Sequence, residues 1–480
     1  MAVFSRPVTI PTTCIETYAT VYLVSKNCHI SSSCHFAFML VHVKLANNCI
    51  GSDLKDTSFQ FTLLMRRKKL TKRVLRETAL GILQSTIFLT THSVGFPFVI
   101  CTLRRWTGRF TKYSVSFWPA FLSSVVAIHL ERASRRPILC LYVTNVATET
   151  LFRMAVWRGW VKPIKYGETI IFTLSTAFLL YLFRSDATMK DSMFSALRYI
   201  VGPYEEAKSP EKPLLAVSPP PSRSKKVHSA GEENYSMYVV ISNICQAYSR
   251  FINSIRSQPR SPFCPHPHSC LSYSLQGFGN GLGIGCGIQL VLRLVLSGKK
   301  LLRKPSLFPK IIFGHGFHNL GMFLGLFCLL FRGSSCSLRW FQGSDSELHS
   351  IPAGLLAGLS FLFYPDTTAA LYVMWKALQI LYSKMVQAGY LPDIPHGTVF
   401  LYCLSTAILF HAAILEPQNL RPSYYKFMHL LSGGRIAMMS RDCLDPFGME
   451  TSKYHANVMK QLRLDFKLVQ HYLVDKWRSR

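Results

Sequence analysis

Apolar residues fall into long runs separated by short polar or basic stretches, and these runs set the predicted elements. An interrupted run covers Phe36–Ile50 and Phe59–Met65, broken by the polar NNCIGSDLKD. Continuous runs follow at Thr78–Cys101, Phe117–Leu130, Pro137–Trp157 and Glu168–Phe183. They resume at Leu271–Leu296, Ile311–Phe331, Ile351–Tyr364, Thr367–Val386 and Thr398–Leu415. A hydrocarbon layer about 30 Å thick needs roughly 20 helical residues. Several runs reach that length; Phe117–Leu130 and Ile351–Tyr364 fall short, as re-entrant or broken helices do. None alternates as a barrel strand would. The predicted fold is all-α, a polytopic helical bundle integral to a membrane.

Between the two sets of runs the chemistry changes. Residues 203–270 hold Pro203, Pro210, Pro213, Pro219, Pro220, Pro221, Pro259, Pro262, Pro265 and Pro267 among Ser, Lys and Glu. Such a segment buries too little apolar surface to fold alone and reads as a linker. The expected organisation is a divergent, cysteine-bearing segment at 1–58, a first transmembrane repeat at 59–202, the linker at 203–270, a second repeat at 271–432 and a basic tail at 433–480.

Composition agrees with a membrane. The chain is 49% hydrophobic and only 16% charged, with 54 Lys+Arg against 24 Asp+Glu; soluble domains carry about 25% charged residues. The blocks Arg66–Arg73, Arg104–Lys112, Arg132–Arg136 and Lys299–Lys310 lie between apolar runs. They are expected to meet anionic lipid headgroups; a nucleic-acid surface would need them on one folded face. They flank helices on both sides, so they assign no orientation. The start MAVFSRPVTIPTTC lacks a basic head before an apolar core, and the closing WRSR is not a peroxisomal Ser-Lys-Leu address. Any organelle address is therefore expected to be internal. Fourteen cysteines suggest no disulfide framework; Cys101, Cys140, Cys328 and Cys403 lie inside apolar runs, where Cys acts as a small hydrophobe.

The runs repeat one another. At an offset of 230, Leu174-Ser175-Thr176-Ala177 falls on Leu404-Ser405-Thr406-Ala407 and Leu141-Tyr142-Val143 on Leu371-Tyr372-Val373. Ala147, Leu151, Val156, Gly159 and Gly167 meet Ala377, Leu381, Val386, Gly389 and Gly397. Upstream, CTLRRW (Cys101–Trp106) parallels CSLRW (Cys336–Trp340), and Cys28-x5-Cys34 parallels Cys264-x5-Cys270. Two homologous halves are the reading.

The stretches TNVATETLFRM (Thr144–Met154), SALRYIVG (Ser195–Gly202), SLRW (Ser337–Trp340) and LRPSYYKF (Leu420–Phe427) resemble the transmembrane protein 135 family, also described as peroxisomal membrane protein 52. The resemblance spans about Phe59 to Gly448. It implies partial similarity to Tim17/22/23-type translocase proteins, hence Tim17-like halves. It also implies a multi-pass protein of mitochondrial and peroxisomal membranes, with roles in mitochondrial fission and lipid metabolism. The partner it implies is the dynamin-related fission GTPase or its adaptors. It carries no catalytic residues. The family opens with an uninterrupted helix before a basic turn; here Arg66-Arg67-Lys68-Lys69 is present but the preceding run is broken at Asn47-Asn48 and Asp53–Asp56.

Candidate sites are few. Glu149 and Arg153 share a helix face inside an apolar run, and an unpaired charge at mid-bilayer costs about 2.5–3.5 kcal/mol. They are read as an intramembrane polar seam, continued in the second half by Lys376, Gln379 and Ser383; an interfacial ion pair with Arg153 snorkelling is the plainer alternative. Gly277, Gly281 and Gly285, Gly279, Gly283 and Gly287, Gly321 and Gly325, and Gly354 and Gly358 recur at four-residue spacing, which lets helices approach closely in lipid. GFGNGLGIGCG fits no dinucleotide fingerprint. Cys264, His266, His268 and Cys270 carry zinc-ligand chemistry, but the intervening Pro265 and Pro267 depart from the usual Cys-x2-Cys turn, and acylation or linker thiols account for them as well. No metal, cofactor or catalytic residue is assigned, and His129, His318 and His411 read as packing histidines. The expected function is a non-enzymatic membrane scaffold for fission machinery, with membrane lipids as partners, no nucleic acid, and homo-oligomerisation left open. A transporter or translocase-like conduit between the repeats is the alternative.

Overall fold

In lipid a chain must satisfy its own backbone hydrogen bonds, and the apolar runs do so as helices. The computed structural model describes residues 72–462 apart from 110, 186–190, 207–252, 268, 304–305, 307, 310–313, 315, 433–434, 440 and 449. The cysteine pair Cys28/Cys34, the block Arg66–Lys69, His268 and most of the linker lie outside the described residues.

The described residues form helices and no strands. In chain order these are α1 (Lys72–Thr107), α2 (Lys112–Val115), α3 (Phe117–Leu130), α4 (Arg136–Trp157), α5 (Gly167–Ser185) and α6 (Ser192–Val201). Then come α7 (Cys270–Arg303), α8 (Asn319–Gln342), α9 (Ser350–Gly358), α10 (Thr367–Gln387), α11 (Gly397–Leu415), α12 (Pro422–Leu431), α13 (Arg435–Met438) and α14 (Thr451–Leu462). Among the described residues, five segments are long and apolar enough to cross a membrane: Leu83–Thr107, Lys112–Leu130, Gly167–Ser185, Asn319–Gln342 and Gly397–Leu415. The short run Phe117–Leu130 reaches spanning length because α2, started by a Thr111–Ser114 capping box, precedes it. The other short run remains α9 plus a 3₁₀ turn, Leu359–Phe363. In the run expected at Ile311–Phe331, residues 311–313 and 315 lie outside the described residues; the described helix starts at Asn319, behind Gly316 at φ 75°, and continues past the apolar part to Gln342. Together these elements make a multi-pass helical membrane protein.

The chain divides into two compact units. One comprises residues up to Pro163 together with those from Lys384 onward, and the other is Ile164–Ser383. In the first, α1 packs on α3, and α11 packs on α3 and α4. Its core holds Val146 and Ala147 of α4 with Cys403 and Leu409 of α11, and a buried Thr144–Ser405 hydroxyl hydrogen bond of 3.1 Å crosses the same seam. In the second, α8 packs along α7 and on α9, and α9 packs on α5. Phe172 stacks on Phe361 there at 4.1 Å between ring centroids.

Element bounds recur at the 230-residue offset. Helix α5 matches α11 end to end, α6 matches α12, and α4 and α10 end at corresponding residues. Gly159 and Gly389 are both left-handed, at φ 74° and 77°. Tyr166 and His396, directly before α5 and α11, adopt φ 63° and 62°, a conformation that non-glycine residues take only where the surrounding turn imposes it.

Candidate functional site

Glycine spacing decides how closely helices meet. A Cβ on Gly281 would lie 2.5 Å from the Leu324 carbonyl oxygen, and one on Gly285 would lie 2.5 Å from that of Leu320. From the other side, a Cβ on Gly321 would strike Cys286 Sγ at 2.5 Å, and one on Gly325 would meet Phe278 at 3.1 Å. The α7–α8 contact is thus backbone to backbone, the regime in which small residues associate helices without hydrophobic drive. Gly277 makes room for the Arg332 side chain. The second stripe, Gly279, Gly283 and Gly287, meets nothing within 4 Å. On α9, a Cβ on Gly354 would lie 2.7 Å from the Cα of Ala177 of α5, and one on Gly358 would lie 2.7 Å from that of Thr173.

The polar seam residues occupy both units. In the first, Glu149 is buried and is held from two sides: Arg153 Nη2 lies 2.6 Å from Oε1 and Arg421 Nη2 lies 2.7 Å from Oε2. Arg421 directly precedes α12, and Arg153 extends outward with 43% of its side chain exposed. Just past the end of α4, Arg158 pairs with fully buried Glu416, which also accepts from Asn419 Nδ2 at 2.9 Å. In the second unit Lys376 reaches Asp191 Oδ2 at 2.8 Å and Gln379 Oε1 at 3.2 Å. Asp191 also N-caps α6, accepting from Met193 N at 2.7 Å. Ser383 turns back to the Gln379 carbonyl at 3.0 Å.

The strongest electrostatic group is one that sequence reasoning missed. Arg339, in the last turn of α8 and fully buried, donates to both oxygens of Glu205 at 3.1 and 2.7 Å and through Nε to Asp345 at 2.9 Å. Arg184, in the last turn of α5, pairs with Asp345 and lies 4.0 Å from Glu205. Two arginines and two carboxylates make a neutral quartet. Local backbone builds it: Gly202 at φ 113° ends α6 and turns the chain into the 3₁₀ segment Pro203–Glu205, while Gly343 at φ 60° closes α8 ahead of Asp345. Burial pushes the Asp345 carboxyl up, but the Arg339 hydrogen bond and the charges of Arg184 and Arg339 hold it below its ordinary 3.8. Beside it, Arg332 gives Nε to the Val201 carbonyl at 2.7 Å, closing the C-terminus of α6. The available signal was the charge written into the polar end of a long apolar run; Glu205 itself lay in sequence assigned to the linker.

A second cluster combines Cys264, His266 and Cys270 with Cys336 of α8, and their ligand atoms all lie within 4.8 Å of one another. Cys264 and Cys270 sulfurs are 3.7 Å apart, and Cys336 Sγ is 3.3 Å from His266 Nε2. All four thiol and imidazole side chains sit where α7 begins and α8 ends its apolar part. Two histidines inside the apolar runs are hydrogen-bonded, one across the chain and one locally: His411 Nδ1 meets Ser116 Oγ at 2.8 Å and His129 Nδ1 meets the Val125 carbonyl at 2.7 Å.

No solved structure matches the chain. Residues 19–156 match the N-terminal cysteine-rich region of Transmembrane protein 135. That match takes in α1, α3 and most of α4, including Glu149 and Arg153, and reaches back into the segment 1–58. With several apolar helices of spanning length in the described residues, this match makes residues 19–156 similar to the transmembrane protein 135 family.

Proposed function

We propose that this chain is a non-enzymatic scaffold of mitochondrial and peroxisomal membranes, built from two homologous Tim17-like halves. It holds fission machinery, a dynamin-related GTPase or its adaptors, at the bilayer and so influences organelle shape and lipid metabolism. The observation that carries the reading is the make-up of the compact units. Helices α5 and α11 correspond at the repeat offset, yet α5 packs on α9 of the second half and α11 packs on α3 and α4 of the first. Conduits with two repeats commonly work by rocking one repeat against the other. Here such motion would have to open the α5–α9 seam, where glycines bring backbones into contact, and the α4–α11 seam with its buried Thr144–Ser405 bond. The charges in the seam are matched within each unit, as suits a fixed assembly. Both features support a static body over a moving one.

The test pairs transport with morphology. Glu149→Ala and Gln379→Leu chains are reconstituted in vesicles and also expressed in cells lacking the endogenous protein. The scaffold reading expects solute flux at the level of empty vesicles for every chain, with altered mitochondrial shape and altered proximity labelling of fission proteins. Flux through the unaltered chain that both substitutions abolish, with labelling unchanged, would establish the conduit instead.

A further inference from the structure

We propose that Cys264, His266, Cys270 and Cys336 form a structural zinc site that fastens the segment before α7 to the end of α8. The ligand set is Cys3His, a common closed zinc set with no position left for substrate. Two edges of the set match before any ion is added, and all four ligand atoms lie within 4.8 Å of one another. A tetrahedral centre with metal–sulfur bonds of about 2.3 Å and metal–nitrogen bonds of about 2.0 Å has S···S edges of about 3.8 Å and S···N edges of about 3.5 Å. The corresponding edges here are 3.7 Å for Cys264–Cys270 and 3.3 Å for Cys336–His266. Three soft thiolates select zinc over magnesium or calcium, which take oxygen ligands.

The surroundings are those of a held ligand set. His266 is fully buried and stacks on Tyr273 at 4.4 Å, nearly parallel, which fixes the ring with Nε2 toward Cys336. Its carbonyl accepts from Arg260 Nη1 at 2.9 Å, and Arg332 lies over the far partner of the stack, Tyr273, at 4.4 Å. Zinc uptake replaces three thiol protons, released to solvent, and leaves the centre with one net negative charge. Arg260 and Arg332 are placed to balance it. The prolines on either side of His266 fix φ at two positions and lower the entropy lost when the loop closes on the metal. Cys336 and Arg339 are three residues apart on one face of α8, so the site and the ionic quartet fasten the same turn. The trio also recurs in sequence, Cys28, Cys34 and Cys101 standing where Cys264, Cys270 and Cys336 stand in the second half.

The full chain, purified in detergent under reducing conditions, is assayed for metal by mass spectrometry and then exchanged with cobalt. The unaltered chain is expected to hold about one zinc equivalent more than Cys336→Ser or Cys264→Ser, and its cobalt form to show thiolate-to-metal charge transfer that those variants lose. His266→Cys keeps the metal with shifted cobalt bands, His266→Ala loses it, and Cys286→Ser leaves content unchanged. Helicity is followed throughout; should a serine variant unfold, the contrast between His266→Cys and His266→Ala decides. Equal metal in the unaltered chain and in folded Cys336→Ser, equal metal in the two His266 variants, or a Cys264–Cys270 disulfide in the native protein would overturn the assignment.

Discussion

Adjacent glutamates offer an internally controlled test of burial. Glu205 and Glu206 are neighbours, and both pair with an arginine, Glu205 with Arg339 and Glu206 with Arg198. By distance the second pair looks the better one, since two Arg198 nitrogens close on Glu206. Exposure reverses the order. Arg339 and Glu205 are both 0% exposed, whereas Arg198 is 52% and Glu206 24% exposed. Removing Glu205 strands a buried guanidinium beside Asp345 alone, a defect that costs about 3–5 kcal/mol. Removing Glu206 releases Arg198 to solvent, where such pairs contribute roughly 0.2–1 kcal/mol. At about 2–4 °C per kcal/mol for a unit of this size, Glu205→Ala should lower the unfolding midpoint by roughly 6–20 °C and Glu206→Ala by less than about 4 °C. The assay is thermal unfolding of the detergent-solubilised chain, followed by helicity and by protease resistance of the Ile164–Ser383 unit. Similar shifts for the two variants would refute the buried quartet.

Other outcomes follow from the same geometry. Gly281→Leu should destabilise the α7–α8 pair by about 1–3 kcal/mol through overpacking, while Gly283→Leu, with open space at its Cβ, should change stability by no more than about 0.5 kcal/mol; unfolding midpoints in detergent compare them. Asp345 has a depressed folded value, so its contribution is present above its ordinary 3.8 and is lost as pH falls through the folded value. Acid titration of helicity should therefore show a shallower loss below about pH 4 in Asp345→Asn than in the unaltered chain. Thr144→Val, which strands the Ser405 hydroxyl in a buried seam, should cost about 1–3 kcal/mol, and Thr144→Val with Ser405→Ala should recover part of it in a double-mutant cycle.

Legibility in the sequence followed chemistry. Where a run is predominantly apolar from end to end its helix can be read to within a residue or two, as at Phe117–Leu130 and Thr398–Leu415. Where polar residues are buried by partners far along the chain, the reading stops early. Helix α8 continues through Arg332, Ser335 and Arg339 because each of these side chains is buried against the fold, and periodicity alone registers them as a polar end. The same blindness hides the fourth member of the Cys/His cluster. Cys264, His266 and Cys270 are close in sequence and stand out together, but Cys336 enters only through the packing of α8. Likewise the glycine spacing at Gly277–Gly287 does not tell which of its two stripes faces a partner; Leu320 and Leu324 on α8 decide that.

The basic excess takes on a second meaning once these partners are known. A net charge of +30 invites the reading that lysines and arginines lie at lipid headgroups. Several do something else. Arg332 bonds the last carbonyl of α6, and Arg441, itself buried, donates to Ala413 at 3.0 Å and to Ile414 at the end of α11. Arg184 and Arg339 occupy the final turns of α5 and α8. Each stands where unpaired carbonyls and the negative end of the helix dipole favour a cation. Within a bilayer, where water cannot satisfy those carbonyls, an arginine with five donors is the side chain best fitted to do so. Part of the positive charge is therefore fixed by helix termini, and only the remainder is free for lipid, so counts of basic residues near apolar runs overstate the membrane-surface charge of a bundle built this way.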